Sequence, residues 1–216
     1  MITETRPVII RMRDVGIALL ASGSFGEPLN RLRLQKFVYL LDQVGQLLRV
    51  LPPALAHYSF RNGPFDPRIQ NAVDSLAFRG LVDIQSLHQA RGGSIHCEYT
   101  LSVPGLGWAE RMSQHPLFSD RSRAAQLIAT EVNRIGWGRL RELVYAEPTY
   151  LAVRPNGYGE QLRSLQSTDP SSAAIFKAIS KSLASGFKKK PTVDLVVELY
   201  FEYLNCYATE ESKYTT

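Results

Sequence analysis

The twenty residues GPFDPRIQNAVDSLAFRGLV, Gly63 to Val82, leave the chain little local choice. Gly63-Pro64 makes a turn. Asp66 carries a side-chain acceptor where a helix N-cap needs one, and Pro67 suits the next position because its missing N–H would go unbonded there. Gly80 stands where a left-handed residue ends a helix. The spacing predicts a helix over 67–79. Around Ile69, residues Ala72, Val73, Leu76 and Ala77 share one face. Arg68, Gln70, Asn71, Asp74, Ser75 and Phe78 point the other way. The apolar side is expected to seal against the segment beyond Gly80.

That segment reads as a hairpin. LVDIQSLH (81–88) and SIHCEYTL (94–101) alternate as paired strands, with QARGG as the tip. A helix restarts near 104. Upstream, Val8, Met12, Val15 and Leu19 form a helical stripe within residues 7–21. A second helix spans about 30–48, capped by Asn30, with Leu34, Phe37, Val38, Leu41, Val44 and Leu48 on its core arc. Gln35, Lys36, Asp42, Gln43 and Gln46 lie opposite, a face expected to be wet. AHYSF, 56–60, is a strand candidate. Helix, strand, helix, two-stranded hairpin and helix succeed one another in the order of a winged-helix domain.

HPLFSDRS, 115–122, reads as a boundary, and the pattern beyond it is helical: 121–134, 138–147, 171–185 and 192–207. The last of these, TVDLVVELYFEYLNCY, is apolar over most of its circumference. It is either buried on several sides or the seam of a homodimer. The organisation expected is a winged-helix domain at 1–115, a helical domain at 116–208 and a flexible tail at 209–216. The fold class is α+β and mostly helical, with an all-α C-terminal half packed on the winged helix.

Bulk properties narrow the function. The net charge is +5, with 12 Lys/Arg against 9 Asp/Glu through residue 115 and 13 against 11 beyond it. That permits nucleic acid as a partner without a basic tail to hold it. Two cysteines, Cys97 and Cys206, make no disulfide framework and suit a reducing cytoplasm. The N-terminal segment lacks the apolar core of a signal peptide, and no stretch approaches the ~20 apolar residues of a membrane span. The four histidines show no H-x-x-x-H spacing, there is no C-x-x-C, and no metal site is expected. Neither a cofactor motif nor a nucleophile–base arrangement is visible, so no catalytic residue is assigned.

Three segments resemble a family of uncharacterised prokaryotic winged-helix proteins, the YwgA-like proteins and the Panacea antitoxin domain: LRLQKFVYLLDQ (32–43), GPFDPRIQNAVDSLAFRGLV (63–82) and YTLSVPGLGWAE (99–110). The likeness covers roughly residues 30–110. Asn62 departs from the aromatic usual before Gly-Pro, and Asp66 replaces a Ser cap. The resemblance implies a place in toxin–antitoxin or phage-defence systems.

The outward face of the 67–79 helix carries the candidate contacts. Arg68, Gln70, Asn71 and Ser75 have the chemistry to meet base edges, and Arg61, Arg79 and Arg91 that to meet phosphates. Phe78 and Asp74 weigh against DNA: a bare ring there suits a protein contact or packing on the C-terminal half, and a carboxylate repels phosphates. The leading expectation is a non-enzymatic binding protein acting through a protein-interaction surface, with another protein subunit as partner. A sequence-specific DNA-binding repressor on duplex DNA is the alternative. An enzyme of the nuclease or toxin type is the second alternative, against which stands the lack of paired carboxylates with a nearby Lys at metal-binding spacing. Arg31 and Arg33 stand at a helix start, where the dipole disfavours cations, so acidic partners or a phosphate are expected beside them.

Overall fold

Helix α1 (Thr5–Gly23) enters the core along Arg11–Ser22, with Ile9 and Gly23 exposed. The computed structural model describes residues 5–48, 57–89, 93, 95–162 and 192–214, with side chains for those from residue 8 to residue 209. Most of the hairpin tip, including Arg91, lies outside the described residues. So do the Leu51–Pro53 stop, the helix expected near 171–185 and the Lys188–Lys190 run.

After α1 come β1 (Leu29–Asn30), α2 (Arg31–Leu48), α3 (Pro67–Phe78), β2 (Val82–Gln89), β3 (Ile95–Leu101) and α4 (Val103–Gln114). The chain continues through α5 (Ser119–Ala146), the short α6 (Pro148–Val153), a 3-10 turn at Arg154–Asn156 and α7 (Val193–Tyr214). The chain is α+β and mostly helical, with one small antiparallel sheet among the described residues, in the order β1-β3-β2. Leu29 pairs with Tyr99, and Ile84 with Tyr99 from the other side.

The third strand is therefore not the AHYSF segment. Tyr58 makes isolated bridges to Phe65 and Gln161, and the sheet recruits Leu29–Asn30 instead. Two residues are too few to show alternation, and Asn30 still caps α2 by accepting from the Arg33 amide at 2.9 Å.

The start and stop signals of α3 behave as their chemistry dictates. Asp66 Oδ1 accepts from the Arg68 amide at 2.9 Å. Gly80 takes φ +68°, and the Leu81 amide closes back on the Leu76 carbonyl at 2.9 Å, the six-to-one bond of a Schellman end. Ile69, Ala72, Val73 and Leu76 are buried. They seal mainly against α1, with β2 a lesser neighbour. The expectation that the hairpin closes this face is corrected, because β2 is exposed at every residue after Val82 and offers it little surface.

The polar arc of α2 is not wet. Gln35, Lys36, Asp42 and Gln43 are all buried. Periodicity finds the apolar arc of a helix but does not say what covers the other one. Here charged groups of α1 and α5 cover part of it. Helix α5 runs through the gap expected at 135–137, bending at Gly136 with φ +77°. It packs on α2, α1 and α7, and among the described residues one hydrophobic core runs from Val15 to Leu204. Val196, Val197, Tyr200, Phe201 and Leu204 of α7 are buried in that core. Residues 209–214, expected as a loose tail, continue α7 to Tyr214. The sequence there holds no glycine or proline to stop a helix. No helix among the described residues is long and apolar enough to cross a membrane.

Candidate binding surface and adjoining cleft

Charged residues set α3 in place. Arg11 of α1 is fully buried and lies 2.7 Å from Asp42, 2.8 Å from Asp66 and 3.2 Å from Asp14. Arg121 of α5 reaches Asp14 at 2.7 Å and Asp42 at 2.5 Å. His57 Nε2 meets Asp42 at 2.9 Å. Burial opposes ionisation of Asp42, but Arg11 and Arg121 outweigh it and hold the carboxyl well below its ordinary range. Burial likewise opposes the charge on Arg11, and Asp42, Asp14 and Asp66 more than restore it. Asp66 is held below its ordinary value in the same way: burial opposes, while Arg68 and Arg11 prevail. Gln35 grips the backbone of Asp66 on both sides, donating to its carbonyl at 3.0 Å and accepting its amide at 2.8 Å. The N-terminus of α3 is thus bolted to α1 and α2.

Sequence reasoning assigned none of Arg11, Asp14, Asp42 and Arg121 to a site, yet a signal existed. Arg11 and Asp14 interrupt the apolar run of α1, and a charge there must find partners. The His57–Asp42 pair has the form of an acid–base unit. It is enclosed by guanidinium groups and His57 is 2% exposed, so it has no approach for a substrate.

A second buried polar group lies under α2. Tyr39 and Thr149 both hydrogen-bond to Glu147, which caps α6 by accepting from the Tyr150 amide at 3.1 Å. Burial raises the Glu147 carboxyl, and the bonds from Thr149 and Tyr39 oppose this only in part. A carboxyl whose folded pKa is raised stabilises fully below its unfolded pKa, and that contribution is lost as pH rises toward the folded value. Glu147→Gln should flatten a decline in unfolding free energy that wild type shows as pH rises above about 4.5. The slope removed is at most about 1.4 kcal/mol per pH unit. Urea melts across the range check it, and an unchanged slope in the variant would show Glu147 to be ionised in the fold.

The sequence-predicted contacts divide. Arg68 is folded back on its own cap, its guanidinium 3.0 Å from Asp66 Oδ1 and 3.1 Å from Oδ2. Gln70 donates to Asp74 at 2.9 Å and accepts from the Tyr99 hydroxyl at 3.3 Å. The Ser75 hydroxyl donates to the Asn71 carbonyl at 2.7 Å. Asn71, Arg79 and Arg61 are exposed. Phe78 is 94% exposed. Ser102 donates to the Gly80 carbonyl at 2.6 Å, and the next residue, Val103, is 85% exposed. A second apolar side chain therefore emerges beside the C-terminal end of α3.

A cleft of about 500 Å³ opens between the start of α2, the Phe60–Phe65 loop and β3. Arg31, Phe60, Asn62, Phe65, His96 and Cys97 are among its walls. The Arg31 guanidinium lies over the Phe65 ring at 5.4 Å. Behind the loop, Lys36 donates to the Asn62 carbonyl at 2.7 Å and lies over the Tyr145 ring; burial brings it down to about 8. Gly63, at φ +97°, sits there because a Cβ would fall 2.7 Å from Tyr145. Among the described residues no group of three His, Cys, Asp or Glu side chains is arranged to hold a metal ion.

No protein-family model matches the chain, and no curated protein matches it.

Proposed function

We propose that the chain is a non-enzymatic binding protein, an accessory or regulatory subunit that docks another protein through the outward face of α3. The carrying observation is Phe78, an almost fully exposed ring on a helix whose Arg68, Gln70 and Ser75 are already engaged within the chain. Side chains so held would have to break intramolecular bonds to read bases. A ring in water, with exposed Val103 beside the same helix end, gains by being covered. A winged-helix reading of residues 1–115 is supported by the sheet order β1-β3-β2 and by α3 preceding the β2–β3 hairpin. The defence or toxin–antitoxin setting rests on the resemblance of the three segments between residues 30 and 110.

The alternative, a DNA-binding repressor, draws on exposed Asn71, Arg61 and Arg79 and on the net charge of +5. Duplex titrations separate the two. Docking on protein predicts only the nonspecific affinity of a mildly basic chain, about 10⁻⁴–10⁻⁶ M at physiological salt, unaffected by Asn71→Ala. Nanomolar, sequence-dependent binding lost in Asn71→Ala would replace this reading with the repressor. Phe78→Ser should leave stability within about 0.5 kcal/mol of wild type, since the ring packs on almost nothing. A thermal melt checks this, and a larger loss would mean that the ring is covered by its own chain.

A further inference from the structure

We propose that the cleft between α2, the Phe60–Phe65 loop and β3 is a binding site for a small aromatic monocarboxylic acid. Its volume of about 500 Å³ lies within the range of small-molecule sites. Phe60, Phe65, Leu32, Pro64 and Ile95 give it apolar walls, and its lining contains no Asp or Glu among the described residues.

The cation is the telling feature. Two arginines open α2 where the helix dipole disfavours them. Arg33 is compensated: it lies 3.4 Å from Glu27 and over the Trp137 ring at 5.0 Å. Arg31 is not. Its guanidinium lies over the Phe65 ring at 5.4 Å and has no carboxylate within ion-pair distance among the described residues. The ring contact places the guanidinium at the cleft wall, and a carboxylate matches the guanidinium fork with two parallel bonds. Lys36 is turned away to the Asn62 carbonyl and does not line the cleft. A single arginine therefore suits a monoanion better than a phosphate dianion. The half-exposed Phe60 ring and the Phe65 ring supply faces for a flat apolar body.

None of the lining residues belongs to α3, so this site and the docking face stand or fall separately. The probe is indole-3-acetate, with the neutral indole-3-acetamide as its control, titrated calorimetrically into the full chain. The acid should bind saturably and the amide at least tenfold more weakly. Arg31→Gln should weaken the acid at least tenfold, while Arg33→Gln leaves it unchanged. No saturation below millimolar acid, equal binding of acid and amide, or wild-type affinity in Arg31→Gln would each overturn the assignment. Should Arg31→Gln fail to fold, the acid-to-amide ratio on the wild-type chain decides alone.

Discussion

Asp42→Ala should cost about 3–5 kcal/mol of folding free energy, a fifth or more of what a typical domain possesses. Asp42 is fully buried and accepts from Arg11, Arg121 and His57 at once. Its loss would leave two guanidinium groups in the interior with Asp14 and Asp66 as their remaining carboxylates among the described residues. An uncompensated buried cation is far more costly than the intact network is stabilising, so the penalty comes from what is left behind. Denaturant melts followed by circular dichroism give the number, and a loss under about 1 kcal/mol would mean that water reaches the cluster. The effect should also be local. The cluster holds the cap of α3 through Arg11 and Asp66, so amides in the first turn of α3 should exchange faster in the variant, ahead of those in α7. The network carries a pH signature too. Asp42 and Asp66 are held below their ordinary values, so their contribution is present above about pH 4 and lost as pH falls toward the folded values.

Gly105→Ala is the second large effect. A Cβ at Gly105 would lie 1.9 Å from the Leu81 carbonyl oxygen and 2.8 Å from its carbon. Both are backbone atoms of the link between α3 and β2, and that link is already held by Ser102, whose amide donates to the same carbonyl at 3.2 Å. Helix α4 would have to lift away from the link. The loss expected is about 2–4 kcal/mol, at or above the upper end of ordinary overpacking, even after the gain of about 1 kcal/mol in helix propensity. Gly107→Ala is the internal control. The nearest atom to a Cβ there is the flexible tip of Arg111 at 3.5 Å, so only the propensity gain remains and the variant should be more stable by a few tenths to about 1 kcal/mol. Equal melting temperatures for the two variants would contradict the packing of α4 on the Gly80–Leu81 turn.

Local chemistry is readable in the sequence alone. Asp66, Pro67 and Gly80 announce α3, Asn30 announces α2, and the Ile135–Trp137 interruption announces the bend at Gly136, because each acts on its own backbone within a turn. Pairings across the chain are not readable. Arg121 finds Asp14 over 107 residues, and nothing local at either end names the other. The same distance problem turned the polar arc of α2 from an expected wet face into a buried one. It also hid the cleft, whose walls come from three separate segments. Phe78 is legible as an outward ring because the helical wheel alone decides it. The state of Arg68 is not, since the Asp66 carboxylate that caps the helix also claims its guanidinium.

The most direct test of the docking face is a photo-crosslinking phenylalanine placed at position 78, with the same residue at exposed Gln126 on α5 as control, irradiated in the native cells. A protein adduct of discrete mass from position 78 and none from position 126 is the predicted result. Adducts to nucleic acid from position 78, or equal yields at the two positions, would contradict it.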